Sequence, residues 1–138
     1  MTTPAGGFEL LEHTADVGVR ARGPSLEAVF EQASLGLAEV LGAWRPGPGE
    51  PVAVAVGPAD PGGLLVDWLG EVLWLHESRD AAIGGVRVDR VDEQGATGEV
   101  TLAGHGPFDG TQVKAVTYHQ LRVVPDGGGW LAEVYLDV

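Results

Sequence analysis

The chain has 138 residues, 44% of them hydrophobic and 20% charged, a length and balance that suit one globular domain and exclude a disordered chain. Its 20 acidic residues outnumber 8 basic ones for a net charge of −12, so its surface repels RNA unless a local patch or a metal reverses the sign. There is no cysteine, which excludes disulfides and thiolate metal sites.

The segment Met1-Thr2-Thr3-Pro4-Ala5-Gly6-Gly7 lacks the basic and apolar regions of a signal peptide, and residues 1–7 read as a flexible tail. Short strands are expected at Phe8–Glu12 and Val17–Ala21, flanking His13-Thr14-Ala15-Asp16. In the second, Val17, Val19 and Ala21 alternate with Gly18 and Arg20, the period of a half-buried strand. Gly23-Pro24 ends it, and Ser25 can cap a helix running to about Leu41, because its hydroxyl accepts a free first-turn N–H. Leu26, Val29, Phe30, Ala33, Leu37, Val40 and Leu41 share one face of that helix.

The Pro/Gly segment from Arg45 to Pro51 is a loop, followed by a strand through Val52, Val54 and Val56. Asp60-Pro61 then starts a second helix, a capping carboxylate before a first-turn proline. Its apolar residues Leu64, Leu65, Trp68, Leu69, Val72, Leu73 and Leu75 cover so wide an arc that burial between a sheet and another element is expected. The helix is expected to fray after His76. Gly84-Gly85 opens a strand-rich half: Val86 to Val91, a turn at Gly95, Gly98 to Leu102, and a hairpin of Gln120–Val124 with Trp130–Val138. Two helices separated by strands and followed by hairpins define an α+β class. No apolar run approaches the roughly 20 residues that span a membrane, and a cytoplasmic location is expected.

Several polar positions have two readings. His13-x-x-Asp16 is either turn chemistry, with the side chains satisfying backbone groups, or part of a metal site. Lys114 is the one lysine of the chain; it is either a solvated loop position or a compact cation holding a carboxylate or phosphate. In the last strand Trp130, Ala132, Val134, Leu136 and Val138 face the core, leaving Asp137 on the polar face. It is either a solvated strand end or a packed carboxylate in need of a partner. His76 suits the negative end of its helix, and His105 reads as a turn residue. Asp67 and Glu71, one turn apart, read as a solvated helix face. No Walker-type phosphate loop or nucleophile elbow is present.

Four stretches, taken together, resemble the archease family: His13 to Val19, Leu64 through Glu77, Lys114 to Leu121, and Glu133 to Val138. The resemblance spans Phe8 to Val138 and implies one α+β domain over residues 1–138, with a mixed or antiparallel sheet packed on two main helices. It implies a functional cluster of Asp16, Lys114, Asp137, His13 and His119. Asp16 and Asp137 would be metal ligands, joined by a main-chain oxygen of Val138. All-oxygen ligation favours Ca²⁺, with Mg²⁺ or Mn²⁺ as alternatives. The implied partner is an RtcB-type RNA ligase, which uses GTP to become guanylylated. The chain would be its non-catalytic activator in tRNA splicing or RNA repair, meeting RNA through the ligase, with neither DNA nor a membrane as a partner. The competing readings are a small metal-dependent hydrolase or phosphotransferase, and a chaperone-like interaction module.

Overall fold

The computed structural model describes residues 6–12 and 16–138. Of the positions singled out above, His13 lies outside them. Nine elements follow one another: β1 (Gly7–Glu12), β2 (Asp16–Gly23), α1 (Leu26–Val40), β3 (Glu50–Val56), α2 (Pro61–Arg79), β4 (Ala81–Asp92), β5 (Gly95–His105), β6 (Ala115–Asp126) and β7 (Gly129–Asp137). They build two antiparallel sheets, a four-stranded one ordered β1-β2-β7-β6 and a three-stranded one ordered β3-β5-β4. The architecture is α+β, with the strands divided between two sheets.

Both helices begin on side-chain caps. The Ala28 N–H donates to Ser25 Oγ at 3.1 Å, and the Gly63 N–H to Asp60 Oδ1 at 2.8 Å, each satisfying an amide that has no partner in the first turn. Each helix touches both sheets, which is why α2 carries so wide an apolar arc. Phe30 and Leu37 of α1, Leu64, Leu65, Trp68 and Leu69 of α2, and Val19, Ile83 and Leu136 of the sheets are fully buried together. One polar chain crosses this core. Trp68 Nε1–H donates to Ser34 Oγ at 3.0 Å, and the Ser34 hydroxyl donates to the Phe30 carbonyl at 2.7 Å.

Several boundaries differ from the sequence reading. β1 starts at Gly7, inside the expected tail. α2 does not fray after His76 but runs to Arg79, where Asp80 adopts a left-handed conformation (φ 48°) and closes the helix, a task more often given to glycine. His76 helps to hold that last turn: its Nδ1–H donates to the Ala81 carbonyl at 2.8 Å. β4 starts at Ala81, so Gly84-Gly85 lies within the strand. There the chain from Ala43 to Gly47 lies beside it, with Ile83 N–H donating to Ala43 O at 2.8 Å and Gly47 N–H to Gly84 O at 3.1 Å. Farther along, the β4 edge is covered by α1, whose Glu31 and Glu27 accept the Val88 and Val91 amides at 2.8 Å each.

In the four-stranded sheet, β7 alternates as expected. Ala132, Val134 and Leu136 enter the core with Trp130 and Val138 packed beside them, so Glu133, Tyr135 and Asp137 share the outer face. β6 is longer than expected and broken by a bulge: Thr117 pairs with Tyr135 and Arg122 with Glu133, so residues 118–121 stand opposite Val134 alone.

Candidate functional site

Three strand ends meet at one corner of the four-stranded sheet. Asp16, the first residue of β2, pairs with Asp137, the last of β7, and Asp137 pairs in turn with Ala115, the first of β6. Lys114 precedes Ala115 directly, and its N–H donates to the Asp137 carbonyl at 2.7 Å. Asp16, Lys114, Asp137 and Val138 are thereby gathered at one point by main-chain register. His119 lies farther along β6, in the bulge, where its ring meets Tyr135 edge-on with centroids 6.4 Å apart.

The next row inward frames this corner. A Cβ on Gly18 would lie 2.8 Å from Tyr135 Cε1 and 3.0 Å from the Leu11 Cβ, so the Tyr135 ring occupies the recess that the missing side chain leaves. Thr117 Oγ1–H donates to the Tyr135 carbonyl at 3.0 Å, and the His119 N–H donates to Thr117 Oγ1 at 3.3 Å. Tyr135 and Thr117 had no individual signal in the sequence. Strand parity with Asp137 is what would have marked Tyr135.

A third row carries alternating charge across all four strands, Glu9, Arg20, Glu133 and Arg122 in register. Arg20 bonds Glu133 Oε1 through Nη2 at 2.6 Å and Nε at 2.9 Å, and reaches Glu9 at 3.0 Å. Arg122 donates to the other Glu133 oxygen at 3.0 Å. With its side chain only 13% exposed, Glu133 is held below the usual carboxylate pKa, chiefly by the hydrogen bonds from Arg20. Glu9 is lowered by hydrogen bonds from Arg20 and Arg22, and Arg20 is raised by its hydrogen bonds to Glu133 and Glu9.

The segment leading to Lys114 is held against both helix ends. Thr111 N–H donates to the Val40 carbonyl at 2.8 Å, and Val113 is buried. Gly110 passes so close to the Leu41–Gly42 backbone that any side chain would collide. Phe108 packs on His76 (centroids 4.8 Å apart) and lies under the Arg45 guanidinium at 4.9 Å. Arg45 also donates to the His105 and Pro107 carbonyls, both at 2.9 Å. His105 ends β5 rather than lying in a turn, and its Nδ1 bonds the Asp80 carbonyl at 3.0 Å.

The chemistry of the corner follows from its donors. Strand register brings two carboxylate-bearing residues opposite each other at this corner. Carboxylates gathered in this way are suited to a cation or an ammonium group. The side-chain donors are oxygens, which fit a hard divalent ion. Among the described residues no three His, Asp or Glu side chains converge to hold a metal, so an ion held here needs main-chain or water oxygens as well.

A small α+β protein with two antiparallel sheets around two helices, and with a lysine-flanked acid pair where three strands end, is the class that fold and site define. Comparison with known proteins names it. The archease protein family model matches residues 8–138. Curated archeases from Thermococcus gammatolerans (40% identical, 95% of this chain and 98% of theirs) and Methanosarcina barkeri (33%, all of both chains) align along the whole length. The solution structure of Methanobacterium thermoautotrophicum protein 1598 superposes with a TM-score of 0.77 at 33% identity, covering 96% of this chain and 99% of that one. The crystal structure of a Thermotoga maritima archease, described as a possible chaperone, superposes with a TM-score of 0.67 at 25% identity, covering 100% and 98%. The chain belongs to the archease family.

Proposed function

We propose that this chain is a non-catalytic activator of an RtcB-type RNA ligase, promoting guanylylation of the ligase and its multiple turnover in tRNA splicing or RNA repair. The observation that carries the reading is the pairing of Asp16 with Asp137 beside Lys114. Asp16 and Asp137 would hold a divalent cation, Ca²⁺ by preference and Mg²⁺ or Mn²⁺ as alternatives, with a main-chain oxygen of Val138 joining them. When bound, the ion would supply positive charge to phosphate oxygens at the ligase's GTP site. Lys114 adds an ammonium group at the same corner, and His119 a ring donor in the β6 bulge beyond the Thr117 row. The net charge of −12 suits a basic partner better than naked RNA, so RNA is met through the ligase.

The experiment measures guanylylation and turnover of the cognate ligase with this protein at sub-stoichiometric amounts. Asp16→Ala is expected to abolish the acceleration with an unchanged circular dichroism spectrum. Full acceleration by that variant would overturn the role of the acid pair. A chaperone-like reading draws on the description of the Thermotoga maritima relative and on the exposed Trp74 and Tyr118; it predicts partner binding indifferent to chelators and to Lys114→Ala.

A further inference from the structure

Beyond the acid corner, a groove of 630 Å³ runs over α2 between the end of β3 (Ala55, Val56 and the following Gly57) and the start of β6 (Ala115, Val116, Tyr118). Both walls are outer strands of their sheets: among the described residues β3 pairs only with β5, and β6 only with β7. Their outward backbone groups contrast with the β4 edge, which α1 and residues 43–47 cover. An outer strand left uncovered is a template for one more strand. The floor is open at Gly70, where an added Cβ would meet nothing within 4 Å.

The floor is also charged. Asp67 and Glu71 both line the groove and lie one helical turn apart, about 5–6 Å between Cβ atoms. Three large apolar side chains are exposed among the described residues, and two of them belong to this region: Tyr118 (64%) lines the groove and Trp74 (59%) continues the stripe of Asp67 and Glu71 along α2. Exposed aromatic faces beside carboxylates form a surface for Lys and Arg, which pair with the acids and lie over the rings.

From these walls, floor and charges we propose that the α2 groove docks an extended segment of a protein partner, which runs beside an outer strand and sets Arg or Lys side chains on Asp67 and Glu71. If the activator reading holds, that partner is the ligase. The groove starts at Ala115, next to Lys114, so a segment lying in it would bring its owner up to the acid corner. The groove then supplies affinity, and the corner supplies the effect.

The test has an arm that needs no ligase. The full chain, labelled with ¹⁵N, is titrated with a nine-residue peptide alternating Arg and Thr, and with its Glu-for-Arg counterpart. Amide shifts at Gly70, Ala115, Val116 and Tyr118 are expected with the Arg peptide alone. Binding should weaken at least tenfold in Asp67→Asn/Glu71→Gln and in Gly70→Gln. It should stay within twofold in Asp16→Asn, and in Glu39→Gln/Glu93→Gln, which removes the same charge elsewhere on the surface. Shifts centred on Asp16 and Asp137, or equal weakening by the surface control, would overturn the groove. In the ligase arm, Asp67→Lys/Glu71→Lys should raise the half-saturating activator concentration at least tenfold with maximal acceleration retained, whereas Asp16→Asn should remove the maximum. Loss of the first effect alone refutes the groove, and loss of the second alone refutes the acid-pair mechanism.

Discussion

Glu133 accepts from Arg20 and Arg122 while lying almost wholly beneath them. A charge-assisted bond of this kind contributes roughly 1.5–3 kcal/mol, so Glu133→Gln should lower stability by an amount in that range, read as a shift in urea midpoint at pH 7. The pH dependence has a definite sign. Glu133 has its folded pKa lowered from an ordinary value of 4.5, so its contribution is complete above that value and lost as pH falls through the depressed one. The gap between wild type and Glu133→Gln should therefore be constant from pH 7 to about 5 and close on further acidification. A gap that persists unchanged at pH 2 would mean that packing, not the charge, is what Glu133 supplies.

At the scale of elements, the two helices are tied by the Trp68–Ser34–Phe30 chain through the core. Ser34→Ala leaves the fully buried Trp68 N–H without an acceptor, which should cost about 1–3 kcal/mol; an unchanged urea midpoint would show that the indole finds another partner. Much of this element layer was legible beforehand. α1 shows its apolar stripe and serine cap openly, and β7 alternates because one sheet face is buried. The misplaced boundaries have two causes, local capping by an unusual residue and pairing with segments distant in sequence. Asp80 ends α2 in a left-handed conformation that glycine more often adopts, so the helix runs past His76, and Gly84-Gly85 continues β4 because another segment pairs along it. The bulge at 118–121 hid the first half of β6 by breaking its alternation. Asp16 and Asp137 were marked by resemblance. Their juxtaposition depends on a pairing between strands near opposite ends of the chain, which no local pattern encodes.

For the molecule as a whole, a cation held by the acid pair of the folded state alone would stabilise the fold by mass action. The gain is about 2.7 kcal/mol at a hundredfold excess over Kd. For a chain of 138 residues each kcal/mol corresponds to roughly 2–8 °C in Tm. Under the proposed reading, Ca²⁺ should raise Tm by several degrees, a chelator should reverse the rise, and Asp16→Asn should abolish it. The surplus of acidic residues would yield a smaller, unspecific response to any divalent salt, so the diagnostic quantity is the difference between wild type and Asp16→Asn. Equal responses would remove the acid pair as an ion site.

The ion row and the Gly18 recess bear on how the two aspartates stay in register. β2 could slide by two residues along β7 with every core side chain still facing inward. One such alignment sets Arg20 against Tyr135 and Gly18 against Asp137; the other sets Arg20 against Leu131 and Asp16 against Tyr135. Both pull the two aspartates apart, and both take Tyr135 off the residue without a side chain and Arg20 off Glu133. The neighbouring rows thus act as a vernier: among alignments the core cannot tell apart, they select the one that forces Asp16 and Asp137 to face each other.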